Sequence, residues 1–251
     1  MYEEFAAVYD SLMTDVDYVA WAAYYRNLML RQGVNARRVV ECACGTGSLT
    51  LPLSRMGLTM TGVDMSSAML MIAAQKARKQ GASVPFVCQD MRKLRMHRPM
   101  ECVMATCDGV NYLTSPGDVK AFFKSAYEAL LPGGLLLFDV STEYKYENIL
   151  GQNAYGDDRE DFTYLWLNRY DKKTRLCSML LSFFTPAHGG LYSRFDERQL
   201  HRAHSEGELR AWLEECGFIN TAVYGDKHFF APSPTEERMH IAAQKPEAPK
   251  E

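Results

Sequence analysis

No stretch of about 18 consecutive apolar residues occurs in this chain, so nothing in it reads as a membrane-crossing helix. Excess positive charge is missing too. Lys and Arg number 28 against 31 Asp and Glu, a formal net charge of −3, which argues against a broad non-specific nucleic-acid surface. The one basic cluster, Arg92-Lys93-Arg95-Arg98, reads as a solvated loop. A disulfide framework is absent, since the seven cysteines are scattered and suit reduced thiols in a cytoplasmic protein. Cys42 and Cys44 are the only close pair, and no second Cys or His pair stands at zinc-ligand spacing, so no metal is expected. Met1-Tyr2-Glu3-Glu4 is acidic and carries no signal-peptide core. Internal repeats are not seen, and the 14 methionines form no stripe that asks for more than core filling.

What the chain does contain is a pronounced glycine turn. Val39-Val40-Glu41-Cys42-Ala43-Cys44-Gly45-Thr46-Gly47-Ser48-Leu49 places two β-branched residues before an acid, a small-residue loop and the start of an apolar helical pattern. A strand that turns on glycine into a helix lets a nucleotide approach the backbone closely. Phosphate-binding versions aim helix amides at an anion, but Glu41 has the wrong sign for that. An acid here suits a ligand bearing an amine and hydroxyls.

Periodicity organises the rest. Two helices are expected at 2–13 and 17–32, the second capped by Asp17. Strands at 37–43, 58–64, 84–88, 101–106 and 135–140 then alternate with helices at 48–56, 67–80 and 118–131. Ser66 or Ser67 caps the helix at 67–80, and Pro132-Gly133-Gly134 ends the one at 118–131. This alternation implies an α/β fold with a parallel sheet between helical layers. It breaks at residues 162–202, where strand-like runs at 162–170, 176–185 and 191–202 read as an antiparallel insertion. Ser205 and Glu208 form a capping box for a helix through Cys216, and strands at 218–224 and 239–243 finish the sheet. The resulting division is a cofactor-binding core with the amino-terminal helices at 1–150, the insertion at 151–204, core completion at 205–244 and a disordered tail at 245–251.

In such sheets ligands bind at the carboxyl ends of the strands. The first strand ends in the Glu41–Gly47 loop, the second in Asp64, the third in Gln89-Asp90-Met91, the fourth in Thr106-Cys107-Asp108-Gly109 and the fifth in Asp139. One Asp after a strand is an ordinary turn former. A glycine loop, Asp64 and Asp90 after three successive strands form a series, with Asp64 at the spacing that accepts ribose hydroxyls.

At these residues the chain resembles the class I S-adenosylmethionine-dependent methyltransferases. Their acid-x-Gly-x-Gly-x-Gly pattern is met by Glu41 through Gly47, with Ala43 in place of the first glycine and Gly45 and Gly47 in the others. The resemblance implies S-adenosylmethionine as cofactor and a Rossmann-like seven-stranded sheet with an antiparallel β lid. It implies Asp64 on the ribose, Met65 packed on the adenine, Asp90 on the adenine amine and the backbone of Met91 on a ring nitrogen. Tyr9 closes over the sulfonium end and Cys107 lines the pocket. A nicotinamide-type Rossmann domain would want glycine where Thr50 stands and would leave Asp90 unexplained.

The acceptor is read less directly. An Asn/Asp-Pro-Pro-aromatic loop for base amines is replaced by Cys107-Asp108-Gly109-Val110-Asn111-Tyr112, and no Pro-Cys nucleophile exists, so nucleic acid is not the expected partner. The insertion resembles the lid of glycine or sarcosine N-methyltransferase-like bacterial enzymes and points to a small-molecule N or O acceptor. Its last strand carries Phe195, Glu197, Gln199 and His201 on one side, and Glu197 and His201 are the candidate catalytic pair. A monomer or homodimer is expected. The alternatives are an RNA or protein methyltransferase, or a non-catalytic protein that binds the cofactor.

Overall fold

The computed structural model describes residues 3–248. Two helices, α1 (Glu3–Leu12) and α2 (Tyr18–Arg31), precede the sheet. Asp17 caps α2 by accepting from the amides of Val19 and Ala20. Next come β1 (Arg38–Cys42), α3 (Thr50–Arg55), β2 (Thr59–Asp64), α4 (Ser67–Lys79), β3 (Phe86–Cys88), β4 (Met100–Ala105), α5 (Pro116–Ala129) and β5 (Leu130–Ser141). The insertion contributes β6 (Ala154–Asp158), β7 (Thr163–Asp171), β8 (Leu176–Pro186) and β9 (Tyr192–Arg202). The chain then returns through α6 (Glu206–Glu215), β10 (Ile219–Tyr224) and β11 (Arg238–Gln244).

The main sheet has the order β10-β11-β5-β4-β1-β2-β3. Its β3-to-β5 portion is parallel, whereas β11 runs antiparallel to β5 and β10 antiparallel to β11. Successive residues of each strand face opposite layers. Val40, Val63, Val103 and Phe138 therefore pack with α5 and α6, while Val39, Met60, Met104 and Leu137 pack with α2 and α3. The central strands β1 and β4 are accordingly buried on both faces along most of their length. Strand order reverses between β1 and β4, and that crevice is where such a sheet opens to a ligand.

The insertion is a four-stranded antiparallel sheet, β6-β7-β8-β9, in register from Leu176 opposite Arg202 to Pro186 opposite Tyr192 along β8 and β9. Its inward face meets α1 and α4 in a separate apolar cluster that joins Phe5, Met69, Tyr146, Phe162 and Phe183. Two elements here go beyond the sequence expectation. All five residues of β6 are exposed, so an edge strand of this kind lacks the alternation that betrays a strand. A π-helical turn, Lys145–Leu150, links β5 to the insertion.

Two boundaries are corrected. α5 begins at Pro116 because Ser115 caps it and proline is preset for a first helical turn. Pro132-Gly133-Gly134 lies inside β5, where the pairing jumps from Met100–Leu130 to Cys102–Leu135 and the extra residues bulge outward. The tail is corrected in part: Lys245 donates from Nζ to the carbonyls of Tyr127 (2.8 Å) and Leu130 (2.7 Å), and the Gly133 amide donates to its carbonyl. Residues 249–251 lie outside the described part of the chain.

Beneath the crevice the strand ends are joined by buried charge. Asp139, at the end of β5 and wholly buried, accepts from the Cys107 amide at 2.7 Å, the Asp108 amide at 3.1 Å and the Tyr25 hydroxyl at 2.9 Å. Arg238 of β11 donates to Asp139 and, at 2.7 and 3.1 Å, to both oxygens of Asp108. Burial alone would raise the Asp108 carboxyl, but the Arg238 and Lys145 charges win and hold it well below the usual carboxylate range. Cys107 and Asp108 have φ of 54° and 67°, a left-handed pair that costs roughly 1–2 kcal/mol per residue and needs such anchoring. Replacing Arg238 by Met leaves the buried Asp139 and the partly buried Asp108 without the guanidinium between them, and urea unfolding should report a loss of about 3–5 kcal/mol. A loss under about 1 kcal/mol would show that the turn is held by other means.

Candidate functional site

A cavity of about 540 Å³ opens over the carboxyl ends of β1, β2, β3 and β4. Its floor is the loop after β1. Ala43, where the motif has glycine, adopts φ 51°, and Gly45 follows at 52°. A Cβ placed on Gly45 meets no atom within 4 Å, so the space above it is free for a ligand to approach the backbone. Gly47 plays a different part. It does not line the cavity, and a Cβ there would stand 3.0 Å from the Phe86 ring and 3.2 Å from Ala73, so it lets the loop pack on β3 and α4.

Four carboxylates line the cavity, and the three at strand ends are each set differently. Glu41 is 2% exposed and accepts from Thr50 Oγ1 at 2.5 Å and Thr106 Oγ1 at 2.7 Å. Burial pushes its carboxyl from 4.5 up to about 7 against the pull of those two hydroxyls. Asp64 accepts from the Gly45 and Ser66 amides, both at 2.8 Å, one on each oxygen. Burial raises its carboxyl, and the amide bonds oppose the rise. Asp90 is tied to Arg92, which donates from its amide and its guanidinium. Those hydrogen bonds outweigh desolvation and lower the Asp90 carboxyl.

Tyr9, Ala43, Met65, Met91 and Cys107 also line the cavity, so of the cofactor-site residues chosen from sequence only Gly47 stands off the wall. Tyr18 and Thr106 were not singled out by sequence, nor were Tyr112 and Asp118, which also line it. A hydroxyl donor to a buried acid has no sequence signature, and neither has the tyrosine that bonds to Tyr9 across the mouth. α1 is fastened over this end through Asp10, which accepts from Thr46 Oγ1 at 2.6 Å and pairs with Lys76 Nζ at 2.7 Å.

Glu197 and His201 are buried on one side of β9, yet they do not line the cavity. His201 reaches the wall only through Tyr112, whose ring centroid lies 4.1 Å from its own, and its Nδ1 bonds the Tyr146 hydroxyl at 2.9 Å. Burial pushes its imidazole down to about 4. Glu197 is raised by burial, and its oxygens have no hydrogen-bond partner among the described residues. His201 sits behind Tyr112 because this side of β9 meets the π-helical turn through Tyr146.

Comparison with known proteins agrees with this geometry. A methyltransferase domain model matches residues 39–134, the span that carries Glu41, Asp64 and Asp90. A protein of Geobacillus sp. (strain WCH70) named as a methyltransferase is 34% identical over 245 residues, 97% of this chain and 99% of its own. The crystal structure of an S-adenosylmethionine-dependent methyltransferase from Clostridium acetobutylicum ATCC 824 superposes with a TM-score of 0.86 at 30% identity, covering 98% of this chain and 99% of that one. An S-adenosylmethionine-bound amino pentose methyltransferase from Micromonospora echinaspora shares the fold, with a TM-score of 0.75 at 19% identity over 95% of this chain and 97% of its own. A cavity with carboxylates at the ends of three strands and an open glycine cradle fits a cationic adenosyl amino acid. On this full-length likeness the chain belongs to the class I S-adenosylmethionine-dependent methyltransferases, with S-adenosylmethionine as its cofactor.

Proposed function

We propose that this enzyme methylates a nitrogen or oxygen of a small molecule. The observation that carries the reading is the enclosure of the site. α1 is latched to the glycine loop by Asp10, and Phe5, Tyr9, Tyr18 and Tyr112 line the cavity beside it. A cavity covered in this way suits a compact acceptor. Arg92 of the basic cluster is paired with Asp90 and Asp118, which takes it out of any surface for nucleic acid. The seven free cysteines suit a cytoplasmic enzyme.

The cofactor supplies a methyl group already activated on a cationic sulfur. The chain's part is to bind, align and keep water out. Asp64 takes the ribose hydroxyls on the lone pairs its two amide bonds leave free. Asp90 and the Met91 backbone take the adenine edge, and Met65 covers the ring. Glu41 places negative charge below the amino-acid end, with Gly45 giving close approach. Tyr9 and Tyr18 offer oxygens and ring faces that favour a cation. Asp108 is locked as a carboxylate by Arg238, His201 stands behind Tyr112, and Glu41 is engaged by Thr50 and Thr106, so none of the three is aimed at an acceptor as a base. The acceptor is therefore one that presents its own lone pair, such as a neutral amine.

Methyl transfer from radiolabelled cofactor to metabolite extract, digested protein and tRNA tests the proposal. Label should enter the metabolite fraction, and label confined to tRNA or protein would refute it. Asp64→Ala should weaken cofactor binding by about 1–3 kcal/mol in calorimetry through lost charge-assisted bonds. Unchanged affinity would remove Asp64 from the site.

Glu41 makes binding depend on pH. A cation needs the carboxylate, and with a pKa of about 7 the ionised fraction falls as pH drops below that value. Affinity should fall by up to about tenfold per pH unit below 7, with a proton released on binding near pH 6. Glu41→Gln should flatten the profile. Its effect on stability has the opposite sense: the folded pKa lies above the unfolded one, so the neutral acid's contribution is lost as pH rises through 7. At pH 8, without added cofactor, Glu41→Gln should therefore melt higher than the wild type, and a lower melting temperature would contradict the assignment.

A further inference from the structure

Asp90 meets the adenine end of the cavity with most of its acceptor capacity already used. Its Oδ1 receives the Arg92 amide at 2.9 Å and Nε at 3.0 Å, while Oδ2 receives Arg92 Nη2 at 2.7 Å and shares Nε at 2.9 Å. A carboxylate has about four lone-pair positions. The fork and the amide fill both on Oδ1 and one on Oδ2, leaving a single free position. The guanidinium is itself anchored from the other side. Nη1 donates to Asp118 Oδ1 at 2.7 Å, and the Ser115 hydroxyl holds Asp118 Oδ2 at 2.7 Å at the start of α5. Asp90, Arg92 and Asp118 all line the cavity, so this partly exposed clasp is part of its wall. A planar fork fixes a carboxylate's rotation in a way a point charge does not.

We propose that Arg92 is a specificity-determining positioning residue, which orients the one remaining acceptor position of Asp90 toward a hydrogen-bond donor on the purine edge. The inference rests on the cofactor site described above. It assigns the choice of a 6-amino purine to the three-residue clasp, and not to Asp90 alone. Asp118 serves it by preventing the guanidinium from turning away.

The test needs no acceptor. Calorimetry compares S-adenosylhomocysteine with its 6-deamino analogue, in which purine replaces adenine and only the amine is lost. The wild type should prefer the amine-bearing ligand by about 10- to 100-fold, the range of a hydrogen bond to a charged group. Arg92→Gln should reduce that ratio to about threefold or less. Arg92→Lys should stay nearer to Arg92→Gln than to the wild type, because an ammonium cannot fork. Lys93→Gln, one residue along and exposed, should keep the wild-type ratio. The ratio compares two ligands on one protein, so a general loss of stability does not move it, and circular dichroism confirms that each variant is folded. A wild-type ratio in Arg92→Gln would overturn the proposal. The full ratio retained in Asp90→Asn would overturn the assignment of Asp90 to the amine, and the proposal with it. Failure of the wild type to bind either ligand would overturn the site assignment itself.

Discussion

The guanidinium of Arg238 comes from the one antiparallel strand that pairs directly with the parallel sheet, and it enters between two buried carboxylates. Asp139 and Asp108 would repel each other and distort the strand ends without it. With it, Asp139 has its charge balanced and still accepts from two successive amides. Those bonds hold Cys107 and Asp108 left-handed, and the chain after β4 therefore turns to put Cys107 and Gly109 on the cavity wall. Tyr25 of α2 bonds to Asp139 and to His240, so the helical layer on one face is tied to the same point. Taking such charges out of water is costly. The cost is concentrated where the site requires a backbone shape that ordinary propensities resist.

Glu41, Asp64 and Asp90 show how one residue class is given separate settings. Glu41 is held by two hydroxyls in a dry setting and keeps its proton to about pH 7. Asp64 is held by amides, which favour its charge without adding a positive one. Asp90 is held by a guanidinium and stays ionised in partial contact with solvent. An acid that gains its charge as the cation arrives, beside one charged throughout, suits a ligand that is cationic at one end and neutral at the other.

The lid works through packing more than through chemistry at the site. Phe5 and Met69 join the aromatic cluster of β8 and β9, and the Asp10–Lys76 pair ties α1 to α4. The insertion thus stabilises the helix that covers the cavity, while its own polar residues stay one layer back. Glu197 and His201 illustrate the limit of strand periodicity. It puts them on one side of the strand, but gives no sign of the Tyr112 and Tyr146 rings that stand against His201.

Much of the architecture was legible in the sequence because it rests on local or periodic signals. The β1 loop, Asp64 and Asp90 are strand-end residues, and apolar runs with capping motifs such as Asp17 and Ser205–Glu208 locate the strands and helices. β6 escaped because an exposed edge strand has no buried face to pattern, and the bulge at Pro132 escaped because its residues are those of a helix stop. By itself the sequence determined the α/β fold, the cofactor and the order of the acids along the crevice, all set by residues close in the chain. Only the tertiary structure decided what those acids do. Glu41 owes its raised pKa to burial, which outweighs the pull of Thr50 and Thr106, Asp90 its orientation to a guanidinium anchored on α5, and the turn after β4 its shape to Arg238. Desolvation and hydrogen bonding act through space, and no spacing along the chain records them.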